Sequence, residues 1–571
     1  MPRFLSLLIL SLLFPMLSAT AEPTPEWVSR LGALPIQDGG RAMPLDTYAR
    51  NLAVQLTGRS SWGAGKGPEG FSGRKPVELV LDLTFRSPQT IHKPLIILES
   101  APFKTAVGLD PKKRFFSPIE LGGCTGIEDL LRAHMRAKQD NPDVKPTKDQ
   151  QLALEIQADL ERLATLVENP QFAIVPGAPG KAFLRVGPQS GEPGTEGVTR
   201  ALAAFGQAYV QGVGVDAAAD ELVKAVQAAG TLDPKTAQAV DLELKYNIYR
   251  PWLLTAVGYA LALVLFGISR LAMRKVFITL GALATIGAAA VHMIGIGLRV
   301  AILGRAPVSN TYEALLWMGL VAIAVGLIAQ MINRRAWYFV AGLGVALLSV
   351  LFSNLVPLDS QTGTLPAVLR SNYWLIIHVL TITSSYGVLA VGSILGHVYL
   401  IRHVLFARRA SAQTNMAHPL IVQTYRTMQL GLVLLTAGTI LGGVWAADSW
   451  GRFWGWDPKE TWALISIVVY FIILHARYLR WIRDFGMAAC AVLAFASIVW
   501  TFYGVNYIMA SGLHSYGFGS ASGGWVAIWA VAEILLVVVC KVRHHFLMAA
   551  SRSGATAPAP EAAPRAQVQG T

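Results

Sequence analysis

The sequence predicts an all-α polytopic membrane protein of about nine spans, preceded by a signal peptide and an exported, helix-rich α/β domain. Three observations carry this. Mean hydropathy is +0.45 and only 15% of the 571 residues are charged, a balance met where much of a chain lies in lipid. Apolar runs of spanning length recur from about residue 251 onward. Lys and Arg collect in every second loop between those runs, as they do on the cytoplasmic side of a membrane.

The elements follow in order. Met1 to Ala21 reads as a secretory signal: Arg3 is its positive end, Leu5 to Leu17 its apolar core, and Ala19-Thr-Ala21 a small-residue cleavage site. Residues 22–248 form an exported domain. Within it Glu78 to Arg86 alternates apolar and polar and predicts a strand. Ile127–Gln139, Asp149–Val167, Asp216–Ala229 and Pro234–Tyr246 carry helical periodicity with charged faces. The membrane part, 249–545, holds spans near 251–270, 276–298, 311–332, 336–356, 373–401, 427–447, 460–480, 485–508 and 524–541. Loops with Arg270/Arg274/Lys275, Arg334/Arg335, Arg402/Arg408/Arg409 and Arg480/Arg483 are cytoplasmic; 299–310, 357–372, 448–459 and 509–523 face out. An odd number of spans joins an outer amino terminus to a cytoplasmic carboxyl terminus, so signal and charge bias agree. Residues 546–571, with an Ala/Pro-rich end, are expected to form a disordered cytoplasmic tail.

A formal charge of +13 invites a nucleic-acid reading, but the cations sit in short loops between spans. No nucleic-acid partner is expected. Cys124, Cys490 and Cys540 lie far apart with no C-x-x-C, which excludes a thioredoxin-like redox pair and a covalent c-type haem on this chain.

The chemistry concentrates in residues 445–462, an outer-face stretch carrying Trp445, Trp450, Trp454, Trp456 and Trp462 among Gly, Arg, Asp and Lys. This is more tryptophan than an interfacial belt needs, and it suggests a platform for a large flat ligand with polar edges. Trp374, Arg452 and Asp457 join the candidate platform. Asp457 before Pro458 is also a strong helix N-cap signal. His378, near the outer end of the fifth span, and His514, in the next outer loop, flank this stretch. Two outward imidazoles beside an aromatic platform suit the two axial positions of a haem iron, with Arg452, Lys459 or Arg370 meeting its propionates. His475 lies deep in the seventh span, where an ionisable group is expensive and functional by default. His397 and His292 are weaker candidates to partner it. His403, His418, His544 and His545 read as solvated cytoplasmic residues.

Trp450-Gly-Arg-Phe-Trp454-Gly-Trp456-Asp457-Pro-Lys-Glu460-Thr-Trp462 resembles the tryptophan-rich "WWD" signature of cytochrome c biogenesis proteins of the CcsA/ResC type and their relatives CcmC and CcmF. Gly304-Arg-Ala-Pro-Val-Ser-Asn310-Thr-Tyr312-Glu313, Tyr373-Trp374-Leu-Ile-Ile-His378, and Gly504-Val-Asn506 with Gly512-Leu-His514-Ser-Tyr516 look like the CcsA type in particular. The resemblance covers most of 250–541. It implies haem b as a carried ligand, with His378 and His514 on its iron at the outer face and His475 at a second position within the inner membrane. It implies a partner of the CcsB/ResB type, an apocytochrome c presenting C-x-x-C-H, and thiol-reducing proteins. Together these would make a system II cytochrome c synthase that joins haem vinyls to cysteine thiols. Leu34 to Thr47 looks like a segment that precedes the CcsA part in fused or extended versions. The extra spans of a CcsB partner are missing, so the resemblance implies a separate partner.

No acid–base set or nucleophile stands out, and no catalytic residue is assigned. Haem would supply the reactivity while the protein supplies position and electrostatics. A haem exporter that hands its ligand on without bond formation is the alternative. A permanently haem-loaded electron-transfer subunit would want paired histidines deep in adjacent spans, whereas the best pair here faces out.

Overall fold

Among the described residues, strand pairing is confined to short two-stranded antiparallel ladders, and most of the rest is helix. The structure, a computed structural model, describes residues 25–62, 68–142, 144–178, 181–189, 191–271, 273–333, 336–355, 372–406, 418–509 and 524–554. The signal segment, Arg370 and His514 lie outside the described residues.

In the amino-terminal part, helix α1 (Glu26–Gly32) leads into strands β1 (Pro35–Asp38) and β2 (Arg41–Pro44). They pair antiparallel through Gly39 and Gly40, both at positive φ, as a two-residue hairpin turn of this hand requires. Then come α2 (Leu45–Thr57), α3 (Pro76–Phe85), α4 (Ser87–Thr90), β3 (Ile96–Ile97), α5 (Ala101–Ala106), β4 (Phe115–Phe116), α6 (Pro118–Gly122), α7 (Thr125–Asp140), α8 (Lys148–Glu168), β5 (Phe172–Val175), β6 (Leu184–Val186), α9 (Glu196–Gln211), α10 (Val215–Ala229) and α11 (Pro234–Tyr249). One apolar core runs from Val28 to Val226.

The segment expected as a strand, Glu78–Arg86, is helical. Pro76 occupies the first turn and Glu78 reaches back to the Lys75 N–H at 2.8 Å, both helix-start features. Val77, Leu79, Val80, Leu81, Asp82, Leu83 and Thr84 are all buried, so α3 is covered almost all round. Polar residues alternating with apolar ones mimic a strand here, although Glu78, Asp82 and Arg86 also stand four apart on one helical face. Asp82 is buried and held by Tyr209 Oη at 2.7 Å and Arg74 Nη1 at 2.7 Å.

The membrane helices are α12 (Pro251–Ile268), α13 (Arg274–Leu303), α14 (Thr311–Asn333), α15 (Ala336–Leu355), α16 (Asn372–Phe406), α17 (Pro419–Trp450), α18 (Pro458–Tyr478), α19 (Asp484–Val499), which continues as a π-helical segment Trp500–Met509, and α20 (Gly524–Gly554). Among the described residues nine helices are long and apolar enough to cross a membrane, and the protein is a multi-pass membrane protein. Each expected span lies within one of these helices to within a few residues.

The chain divides into two compact units. The first holds everything as far as Leu320 together with the second half of α15; the second holds the remainder of α14 and α15 and then α16 to α20. In the first unit α11 is fastened at several points. Glu243 accepts two hydrogen bonds from Arg41, at 2.6 and 2.9 Å. Asn247 donates to Asp46 and Thr47 at 3.1 and 2.8 Å. Tyr246 Oη accepts from Trp252 Nε1 and, at 3.3 Å, from Arg299. Arg299 and Glu313 form a fully buried ion pair at 2.7 Å. The second carboxylate oxygen of Glu313 takes the Ser309 N–H, and Asn310 caps α14 through the Glu313 N–H. The Gly304–Glu313 stretch is thus a loop folded onto a buried charge pair.

In the second unit α16 and α17 cross antiparallel on glycines. A Cβ on Gly431 would strike Leu389, on Gly438 the Ile382 backbone, and on Gly442 the His378 ring. Steps of seven and four along α17 match equal steps back along α16. Small residues at such spacing let membrane helices approach closely.

Candidate functional site

The glycine crossing ends at His378. A Cβ on Gly442 would sit 2.6 Å from His378 Cε1 and 2.9 Å from Nδ1, so the imidazole lies against bare backbone. His378 Nδ1–H donates to the Gly438 carbonyl at 2.7 Å. A carbonyl only accepts, so Nδ1 carries a proton, and a ring oriented through Nδ1 in this way is the kind that ligates a metal through Nε2. Trp374 lies one turn earlier on α16, its ring edge-on to Tyr373 at 5.1 Å. Three residues beyond Gly442, α17 reaches Trp445.

The tryptophans fall differently from expectation. Of the five, Trp445 and Trp450 belong to α17 and Trp462 to α18; only Trp454 and Trp456 lie in the connecting loop 451–457. Gly451, at φ 69°, terminates α17. Asp457 caps α18 by accepting the Glu460 N–H at 2.9 Å, with Pro458 next, so the helix-start reading of Asp457 holds. Trp445 is 1% exposed and packs edge-on against Trp450 at 4.7 Å. Trp456 is 71% exposed and sits at φ 57°, a conformation costly for a bulky side chain. Trp454 stands edge-on to it at 5.9 Å. Trp445 is therefore a foundation and Trp456 a displayed surface.

Glu460 organises the loop, and its role was not legible in the sequence beyond its capping-box spacing. Its carboxylate accepts the Gly455 N–H at 2.6 Å and pairs with Arg452 at 3.3 Å. Arg452 also lies over the Trp450 ring at 5.7 Å. A Cβ on Gly455 would meet the Arg452 guanidinium, so a side chain there would push Arg452 from its place beside Glu460. Phe453 folds back over Gly443.

Lys459 Nζ donates to Asn506 Oδ1 at 3.0 Å, joining α18 to the π segment. Thr501 in that segment donates to the Trp462 carbonyl at 3.1 Å, and Trp500 packs 5.7 Å from Trp462. The indole N–H groups of Trp454 and Trp500 are buried and make no hydrogen bond in the structure.

The remaining histidines separate cleanly. His475 Nδ1–H donates to the Phe471 carbonyl at 2.8 Å and the ring is exposed on the outside of α18, again oriented through Nδ1. His397 has both nitrogens engaged, by the Ser393 carbonyl at 2.9 Å and Glu533 at 2.8 Å. In the first unit His292 is fully buried; its Nε2–H donates to the Leu316 carbonyl at 3.0 Å and its Nδ1 accepts from Tyr259 at 3.1 Å. Its polarity is fully used within the protein.

Three of the four histidines expected to be solvated are not. His403 and His544 share a hydrogen bond of 2.8 Å, and His403 stacks on Tyr399. His418 caps α17 through the Leu420 N–H while its own N–H donates to Asp484. Polar groups at helix ends are drawn into such pairings wherever a neighbouring helix end supplies a partner. His545 is exposed, as expected.

Residues 308–514 match the cytochrome C assembly protein family, a range that takes in His378, the tryptophan loop and the π segment. The cytochrome c biogenesis protein CcsA of Gloeobacter violaceus is 34% identical, over 38% of this chain and 80% of that protein. The chain belongs to the cytochrome c assembly family. CcsA of Guillardia theta is 37% identical, over 38% of this chain and 77% of its own length. Protein NrfI of Wolinella succinogenes is 30% identical over 84% of this chain, so that likeness reaches into the amino-terminal part. This chain spans 53% of NrfI, about half its length. The assembly-family range also contains Asn506 and Glu460, which sequence reasoning had not singled out as organisers.

Proposed function

We propose that this protein presents haem b to an apocytochrome c at the outer face of the inner membrane, so that thioether bonds form at a C-x-x-C-H sequence. The amino-terminal part and the tryptophan loop face outward and the carboxyl terminus is cytoplasmic, the orientation favoured by the basic loops. His378 and His514 are the axial ligands at that face. The observation that carries the reading is the His378 imidazole, oriented by Gly438 and seated on Gly442 one turn before the tryptophan platform. Trp456 offers an exposed ring to a porphyrin with Trp454 beside it, Trp450 is backed by Trp445, and Trp374 lies one turn before His378. The unsatisfied indole N–H groups of Trp454 and Trp500 are donors of the kind propionates need.

His475 serves a second haem position within the membrane. Its exposed ring suits a haem shared with another chain, a membrane partner of the CcsB/ResB type, better than one shared with His397 or His292. Haem supplies the vinyl groups and the electronic reactivity; the side chains hold it within reach of two reduced thiols, and thiol-reducing proteins keep them so.

The test is the absorption spectrum of the purified protein beside His378→Ala, His514→Ala and His475→Ala. A reducible bis-histidine spectrum is expected, lost in the two outer variants and restored by imidazole. A spectrum unchanged in both outer variants overturns the ligand assignment. Co-expression with a C-x-x-C-H apocytochrome and the partner separates synthesis from carriage: haem bound to the cytochrome through denaturing electrophoresis marks bond formation, and haem lost on denaturation marks a carrier.

A further inference from the structure

We propose that Lys459, held in place by Asn506 of the π segment, is the anchor for a ligand carboxylate, so that the platform selects a porphyrin with free propionates. The inference rests on haem being the platform's ligand. The sequence offers Arg452, Lys459 and Arg370 for this task; Arg370 lies outside the described residues, and the structure uses the Arg452 charge internally, paired with Glu460 and over Trp450. The Asp457 carboxylate is committed to capping α18. Lys459 is different. Its side chain is partly buried, its hydrogen bond is to a neutral amide oxygen, and among the described residues no carboxylate lies within ion-pairing distance.

A lysine in this place is unfavourable for the protein alone. It sits in the first turn of α18, where the helix dipole repels a cation. Partial burial adds a desolvation penalty, which the Asp457 carboxylate two residues earlier, not within ion-pairing distance, only partly offsets. A negatively charged group brought by a ligand removes both penalties at once. The π segment supplies the positioning. Ten residues of π helix set Asn506 where its amide oxygen takes one Lys459 proton, which leaves two ammonium donors for another acceptor. Asn506 is itself fixed, its amide donating to the Phe502 carbonyl at 2.9 Å. Widened helical turns of this kind concentrate at functional sites. The buried, unpaired N–H of Trp500 belongs to the same segment.

The experiment compares haem with its dimethyl ester, in which both propionates are blocked, by Soret titration of full-length protein in lipid nanodiscs. Wild type is expected to bind haem about ten- to hundredfold more tightly than the diester, the range of a hydrogen bond to a charged group. Lys459→Met should lower haem affinity to the diester level and leave diester affinity alone; Lys459→Arg should keep the preference. If Lys459→Met retains the wild-type preference, the carboxylate is held elsewhere and the proposal fails. If Lys459→Met binds neither porphyrin, the wild type decides: equal affinity for haem and diester overturns the proposal. If wild type binds neither porphyrin, it is the haem reading that fails.

Discussion

Gly442→Ala tests the placement of His378 without touching the proposed ligand itself. The added Cβ would stand 2.6 Å from His378 Cε1 and 2.9 Å from Nδ1. Ordinary carbon contacts lie near 3.5–4.0 Å, so the ring must retreat by about 1 Å. The Nδ1 to Gly438 hydrogen bond, now 2.7 Å, then passes out of good geometry. Losing the hydrogen bond that orients a ligating histidine typically weakens metal binding roughly 10- to 100-fold. Gly344→Ala is the control: it too lies within a membrane helix, and a Cβ there meets open space. The assay is haem retained on purification and its affinity on titration. Gly442→Ala should behave as a milder His378→Ala, restored by free imidazole, while Gly344→Ala matches wild type. Wild-type affinity and spectrum in Gly442→Ala would refute the reasoning, because no iron-bound His378 could absorb that displacement unnoticed.

Glu313→Gln leaves Arg299 charged in a fully buried setting and should destabilise the folded protein by about 3–5 kcal/mol; denaturant unfolding reads this, and a loss below about 1 kcal/mol would mean the pair is hydrated. Asp457→Ala should lower stability by about 1 kcal/mol and speed amide exchange at residues 459–461, with Asp457→Asn close to wild type. Asp159 of α8 has its carboxyl raised to about 6, chiefly by burial, against a lowering hydrogen bond from Gln55. A raised acid favours the fold while protonated, so its contribution is present below pH 3.8 and is lost as pH rises through about 6. The span corresponds to ~3 kcal/mol at most, and Asp159→Asn should remove that part of the pH dependence of thermal unfolding. His475→Ala should change stability by no more than about 0.5 kcal/mol, since its ring is exposed, while abolishing the membrane-embedded haem signal; a large fall in melting temperature would assign His475 to structure instead.

Membrane spans were legible because a run of about twenty apolar residues is long enough to cross a bilayer and too apolar to be left in water. The Asp457-Pro458 helix start was equally clear, since a cap is a local rule. Buried segments were not. α3 was misread because its polar residues alternate with apolar ones as in a strand, although Glu78, Asp82 and Arg86 also stand four apart on one helical face, and α9, rich in Ala and Gly, gave no signal strong enough to name. Within the site, histidine identity was visible and histidine environment was not. His292 and His378 look alike in sequence, but Tyr259 and Leu316 engage both nitrogens of one, while glycines 60 and 64 residues away seat the other. Glu460 spoke only through its place three residues after Asp457, and its grip on Gly455 and Arg452 depends on a loop shape that no periodicity encodes.

The fastening of α11 has a mechanical consequence. Glu243, Tyr246 and Asn247 fall at spacings of three and four, so one helical stripe grips the β1–β2 hairpin, α2 and Arg299 of α13 together. The helix is locked in rotational phase near its carboxyl end, like a keyed shaft. Deleting a single residue between Glu243 and Tyr246 would turn one set of keys by about 100° against the other. Length changes are therefore better tolerated in the loops of the amino-terminal part than between Glu243 and Asn247, where one helical stripe ties the hairpin to the buried Arg299–Glu313 pair.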